Sequence, residues 1–310
     1  MKNKSIQVMR AFAIFSVILA HSNRTEHFTD YEALSILFGN LGIVGVPIFL
    51  VIAGYLFSPK NQSVIQFLKR KIKPVFIPWI FTGTLVYFYV TVRKGGITII
   101  SYILFIIGHG SYLYFMTILL MIWIVFLYVY KFKNLLPLYV VSIALVFIAN
   151  TTYLFDLLNP YLNPIYFFHY FIFGAIINRL DSSIINFRFN AIHLTVISAL
   201  SILILSFTIT YKIYLTYFGI ISIFYNYFFV GMAFMISSRL VNSKLLVRIG
   251  DYSFWIYLTH MPIVGLYYYL FGRYSFRSEV LLFIPIFILL TTTLFVMILG
   301  EFKDRVSINY

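Results

Sequence analysis

Arg10 and His21 stand eleven positions apart in a run that is otherwise almost wholly apolar, Arg10-AFAIFSVILA-His21. On a helix rising about 1.5 Å per residue they lie about 16 Å apart, and eleven residues is close to three turns, so they share a face. An imidazole can take a proton near neutral pH, and a guanidinium holds an anion. The pair therefore offers a general base at one end of a polar track and an anion-binding cation at the other. A charged side chain in hydrocarbon costs at least a few kcal/mol, and a chain that accepts this cost normally uses the group. A plainer alternative also fits the spacing: Arg10 snorkels to the headgroups, and His21 caps the outer end of the helix.

Two other stretches carry chemistry. Lys69, Arg70, Lys71 and Lys73 put four cations in five positions just ahead of Pro74. They could anchor the chain on anionic lipid, or clamp a polyphosphorylated cytoplasmic ligand such as a nucleotide-bearing thioester. Near the end, Ser253, Tyr257 and His260 lead into Pro262, where a kink is expected in an apolar run. A lone histidine there serves either structure or the site. His27 and His109 fall in loops, His169 sits among aromatics, and His193 begins an apolar run. No two histidines stand four apart with a carboxylate between them, so no metal site is expected. The nine acidic residues all fall near span ends or in loops, which argues against a proton pump with mid-membrane carboxylates. There is no phosphate-binding glycine loop with a lysine and no Gly-x-Ser-x-Gly elbow. With no cysteine, disulfides, thiolate metal sites and a catalytic thiol are excluded.

The elements that must position these residues are membrane spans. Of 310 residues, 62% are hydrophobic and 10% charged, far below the roughly one quarter charged in soluble domains. The expected architecture is all-α and polytopic, a single transmembrane domain over 1–310 with about ten helices. Their expected limits are 6–22, 40–57, 73–92, 112–130, 135–150, 162–178, 191–211, 214–237, 250–271 and 279–300. The short apolar stretch 97–108 would be interfacial or re-entrant. The first segment reads as a retained span, not a cleaved signal. Loops that alternate along this scheme hold sixteen Lys and Arg on one side and six on the other. The positive-inside rule then puts both termini in the cytoplasm. That asymmetry also accounts for most of the net charge of +14, with no soluble basic domain to bind nucleic acid.

These residues resemble the signature of the membrane-bound acyltransferase family 3. The resemblance starts with Arg10-x10-His21 and continues with Gly45-Val-Pro-Ile-Phe-Leu-Val-Ile-Ala-Gly54-Tyr-Leu-Phe57. Arg70-x-x-Lys73-Pro74 is similar to the family's basic cytoplasmic element. Tyr112-Leu-Tyr-Phe115 and Ser253-Phe-Trp-Ile-Tyr257-Leu-Thr-His260-x-Pro262 follow in the family's order. Gln7 stands where the family often carries an acidic residue, Ala53 replaces a serine, Lys73 an arginine and Tyr114 a tryptophan. No fused extracytoplasmic domain is expected after the spans.

The resemblance implies an O-acyltransferase of the cell (cytoplasmic or inner) membrane. It would be an O-acetyltransferase moving an acetyl group from acetyl-CoA to a hydroxyl of a cell-envelope polysaccharide or its lipid-linked precursor. No permanently bound cofactor is expected, and acetyl-CoA enters as donor substrate. His21 would take the hydroxyl proton or the acyl group itself. Arg10 would orient the donor or offset its charge, and Arg70 and Lys73 would hold CoA phosphates. Ser253, Tyr257 and His260 would support the site. The contrasting reading is an exporter or flippase of a glycan or lipid-linked sugar, whose sites would be polar rings along several spans.

Overall fold

The computed structural model describes residues 3–22, 32–59, 63–94, 96–152, 159–180, 191–271 and 278–307. Lys2, Arg24, His27, Lys60, Arg188, Arg273 and Arg277, weighed above for their charge or chemistry, lie outside these residues. Among the described residues every regular element is helical and there is no strand. In chain order the α-helices are α1 (Lys4–Ser22), α2 (Glu32–Gly42), α3 (Gly45–Tyr55), α4 (Val64–Lys71) and α5 (Ile77–Lys94). Then come α6 (Ile99–Ile107), α7 (Tyr114–Val129), α8 (Leu136–Thr151) and α9 (Ile165–Arg179). The last four are α10 (Ala191–Thr210), α11 (Ile220–Arg239), α12 (Lys244–Phe271) and α13 (Ser278–Ser307).

Each of the ten expected segments falls on a helix. Among the described residues, five stretches are long and apolar enough to cross a membrane: Lys4–Ser22, Glu32–Tyr55, Val64–Val92, Ile220–Arg239 and Leu281–Gly300. The segment expected to be short is short: α6 is nine residues, opened by a capping box in which Thr98 and Ser101 satisfy each other's backbone donors. The two largest departures from the expected limits are at the starts of the second and third segments. The second segment begins at Glu32 and pauses at residues 43–44 before α3, because Pro47 in the first turn of α3 has no N–H to give back to residue 43. The third is entered through α4, capped by Ser63 and Gln66, and a π-turn over Ile72–Phe76 that absorbs Pro74.

The chain divides into two compact units. The first comprises Met1–Ile48, Phe189–Thr216 and Phe224–Tyr310. Here α1 lies against α12, and the two run in the same direction. The Gln7 carbonyl abuts Gly250 near the start of α12, and the Ser22 carbonyl accepts the Tyr268 hydroxyl near its end. At Gly250 any Cβ would collide with that carbonyl, so glycine alone permits the close approach. Helix α13 returns antiparallel, with Gly300 beside Tyr252. Ser16 donates to the carbonyls of Leu41 and Gly42 at 2.5 and 3.1 Å, joining α1 to the end of α2. Buried Asn40 donates to the Ile213 carbonyl at 2.9 Å and accepts from the Leu215 amide at 2.8 Å, so α2 holds the loop after α10. The same loop is tied by a 2.5 Å ion pair from Lys212 to Glu32, which holds the Lys212 ammonium above its usual range.

The second unit comprises Phe49–Arg188 and Tyr217–Ile223. Its core centres on Phe57, whose ring meets Phe126, Phe171 and Tyr130 edge-on at 5.2, 5.5 and 5.6 Å. Edge-to-face packing of this kind suits the ring quadrupoles. Helices α3 and α9 touch backbone to backbone: a Cβ on Gly54 would fall on the Phe171 carbonyl, and one on Gly174 on the Val51 carbonyl. Small residues are what let membrane helices approach this closely. Gly54→Ala is therefore expected to force the pair apart at a cost of about 1–3 kcal/mol. The check is the melting temperature of the detergent-solubilised protein, which should fall; an unchanged melt would mean that α3 and α9 do not pack in this way.

Candidate active site

No glycine or proline interrupts α1, so its apolar run forms nineteen residues of unbroken helix. That rigidity fixes the relation between Arg10 and His21. At the Arg10 end, the guanidinium donates to the Gln7 side-chain carbonyl at 3.3 Å. Gln7 is buried, and Asp251 near the start of α12 is the acidic group that acts on Arg10. A guanidinium that gives one N–H to an amide oxygen still has donors for a further anion.

At the other end, the His21 ring lies 5.1 Å from the ring of His260 on α12, with planes tilted by 48°. His21 is half-buried and His260 fully buried. The Nδ1 of His260 is 2.7 Å from the Tyr257 carbonyl. A carbonyl only accepts, so Nδ1 carries the hydrogen, and in the neutral ring the lone pair sits on Nε2. The Tyr257 ring packs 6.0 Å from His260. Ser253, one turn earlier on α12, is buried, as is Tyr257. Helix α12 continues through Pro262, which withdraws one backbone donor from the turn beside His260.

The structure thus brings Arg10, His21, Tyr257 and His260 to the contact between two parallel helices, with Ser253 on one of them. Sequence reasoning missed Gln7 and Asp251 as the surroundings of Arg10. Their signal was legible: an acidic residue near the start of an apolar run, and a glutamine three residues before the arginine. A chemical division of labour follows. The His21–His260 end can accept and hold a proton, and the Arg10 end can hold negative charge.

Arg70 and Lys73 belong to the second unit. Both are exposed, and neither makes a hydrogen bond or ion pair with the described residues. Lys71, between them in sequence, is differently placed. Its ammonium lies 5.3 Å from the Phe67 ring centre and 4.9 Å from that of Trp123. Cation–π contact of this kind gives Lys71 a packing role. Arg179 is committed too: it donates to the carbonyls of Tyr130, Phe132 and Lys133 at the end of α7 and stacks on the Tyr130 ring. Tyr114 joins an aromatic cluster with Tyr161 at 5.1 Å and Phe167 at 6.2 Å. His169 is buried beside Tyr170 in the same unit. Among the described residues, no three His, Asp or Glu side chains gather where they could hold a metal ion.

A family model described as an acyltransferase domain matches residues 3–300. No curated protein and no solved structure matches the chain.

Proposed function

The chain belongs to the acyltransferase 3 family, and from that premise we propose that it is an O-acetyltransferase. It takes acetyl-CoA as donor and a hydroxyl of a cell-envelope polysaccharide, or of its lipid-linked precursor, as acceptor. The observation that carries this reading is the contact of His21 with His260 at one end of α1, three turns from Arg10 on the same helix. A base and a cation fixed on one rigid element suit a reaction that moves a proton and leaves an anion.

In this reaction His21 removes the proton from the acceptor hydroxyl as its oxygen attacks the thioester carbonyl. A C–O bond forms, the C–S bond breaks, and CoA departs as a thiolate that then takes up a proton. Arg10 offsets negative charge on the donor. Arg70 and Lys73 hold the CoA phosphates, as exposed cations without a partner among the described residues can do. The family match gives no support to an exporter of glycans.

The reaction needs its donor clamp and its Arg10 end on the cytoplasmic side, where acyl-CoA is found. We place the ten spans in the cell inner membrane with both termini in the cytoplasm. The parallel run of α1 and α12 supports this, since a first and a ninth span must cross in the same direction. Reporter fusions after Lys60 are expected to report the cytoplasm and fusions after Arg24 the outside, following the charge split. Opposite signals would remove the donor argument. The function itself is tested with purified protein and isotope-labelled acetyl-CoA, followed by mass spectrometry of envelope glycans from cells with and without the gene. Label should enter the glycan only with the protein present, and each acceptor should lose the mass of one acetyl group without it. Release of CoA with no labelled glycan would overturn the assignment of the acceptor.

A further inference from the structure

We propose that Trp79 is a donor-binding residue whose indole N–H donates to an amide carbonyl in the pantetheine arm of acyl-CoA; this rests on acetyl-CoA being the donor. Trp79 lies in the first turn of α5, six residues after Lys73. It is 6% exposed, and its Nε1 is buried with no hydrogen-bond acceptor among the described residues. An indole nitrogen only donates, and a buried donor is costly to leave unmatched. A tryptophan at a membrane interface usually turns its N–H to the headgroups, but a ring this enclosed has no such exit.

The surroundings say what kind of acceptor fits. Trp79, Thr82, Val86 and Tyr87 are buried at helical spacing and mark the inward face of α5. Farther along that face α6 supplies partners: the Tyr87 and Ser101 hydroxyls lie 2.6 Å apart, and a Cβ on Gly83 would meet Ile106. Ile106 stands in the last turn of α6, and Gly108 then ends the helix in the left-handed region. Trp79 is one turn nearer the start of α5 than Gly83. On its other side lie the π-turn over Ile72–Phe76 and the exposed cations Arg70 and Lys73. Such π-turns are frequent at functional sites. Phosphates held on those cations leave the rest of CoA to extend away from them. The arm is uncharged and carries amide carbonyls, so it can enter an apolar interior that a phosphate cannot, and one carbonyl matches a lone indole donor.

The test separates the two halves of the donor. Binding to purified protein in detergent is measured by calorimetry for CoA and for 3′-phospho-ADP, which carries the CoA phosphates and lacks the arm. Trp79→Phe keeps a ring and removes the N–H. It is expected to weaken CoA about threefold to tenfold and to leave 3′-phospho-ADP unchanged. Arg70→Ala combined with Lys73→Ala should weaken both. A second measurement keeps Trp79 itself. The chain has three tryptophans, so Trp123→Phe with Trp255→Phe leaves Trp79 as the one indole. CoA should then shift the indole emission, and 3′-phospho-ADP should not. If Trp79→Phe weakens both ligands alike or weakens neither, or if the emission answers alike to both, Trp79 serves packing and the proposal fails while the donor reading stands. If the wild-type protein binds neither ligand, acetyl-CoA is not the donor, and the proposal falls with that reading.

Discussion

His21→Ala is expected to accumulate in the membrane at normal levels and to transfer acetyl groups about 10²–10⁴-fold more slowly than the wild type. The magnitude is that of a lost general base. Proton removal is the step that makes a sugar hydroxyl nucleophilic, and the other acids and bases near α1 are differently engaged. Asp251 acts on Arg10, and His260 is tied to a backbone carbonyl. Accumulation should be unaffected because His21 lies in the last turn of α1, half-buried, while the grip between α1 and α12 comes from Gly250 and Tyr268. The measurement is labelled-acetyl transfer per folded molecule, with membrane level followed by an epitope tag. A variant that transfers at the wild-type rate would return His21 to the role of a helix cap. One that fails to accumulate would make His21 a folding residue, and His21→Asn would then separate the two roles.

Much of this site can be read along the chain, because α1 is local. The apolar run, the absence of helix breakers and the eleven-residue spacing place Arg10 and His21 on one face without any knowledge of the fold. What cannot be read is the partner of that face. His260 comes almost at the other end of the chain, and nothing in the pattern of α1 says that α12 will lie parallel to it. The close approach at Gly250 depends on a backbone contact that composition does not encode. The resemblance to the family shows the limit from another side. Gly54 and Phe57 help carry the likeness, yet their place in the structure is packing: a glycine against a carbonyl and a ring at the centre of an aromatic cluster.

Charge was legible as a tally and not as a set of roles. Counting Lys and Arg by loop treats Lys71, Arg179, Arg70 and Lys73 alike. The structure separates them, because Lys71 is held over two rings and Arg179 ends α7. Long flexible side chains find such partners only after the helices have docked. The entry into the third segment could have been anticipated from Ser63 and Gln66, which stand at capping-box spacing. The π-turn over Pro74 could not, since it answers to how the basic stretch meets the helix that follows.

That separation of roles sets the sharpest expectation for the donor. Charge-assisted contacts to phosphate are worth about 1.5–3 kcal/mol each, so losing one should weaken donor binding about tenfold or more. Arg70→Ala combined with Lys73→Ala should then raise the acetyl-CoA concentration for half-maximal rate by about a hundredfold or more, in detergent where lipid anchoring no longer contributes. Arg70→Lys should also be impaired, since lysine keeps the charge and loses the two-pronged fork. Lys71→Leu is the control. Its ammonium already rests on Phe67 and Trp123, so its loss should change the half-maximal concentration by no more than about threefold while lowering thermal stability. If Lys71→Leu proves the damaging change and the double variant binds donor normally, the clamp has been assigned to the wrong cations. If all three bind normally and only orientation in cells is altered, the basic stretch is a topology anchor. The phosphates must then be held elsewhere on the cytoplasmic side, with Arg10 and Arg248 the first residues to test.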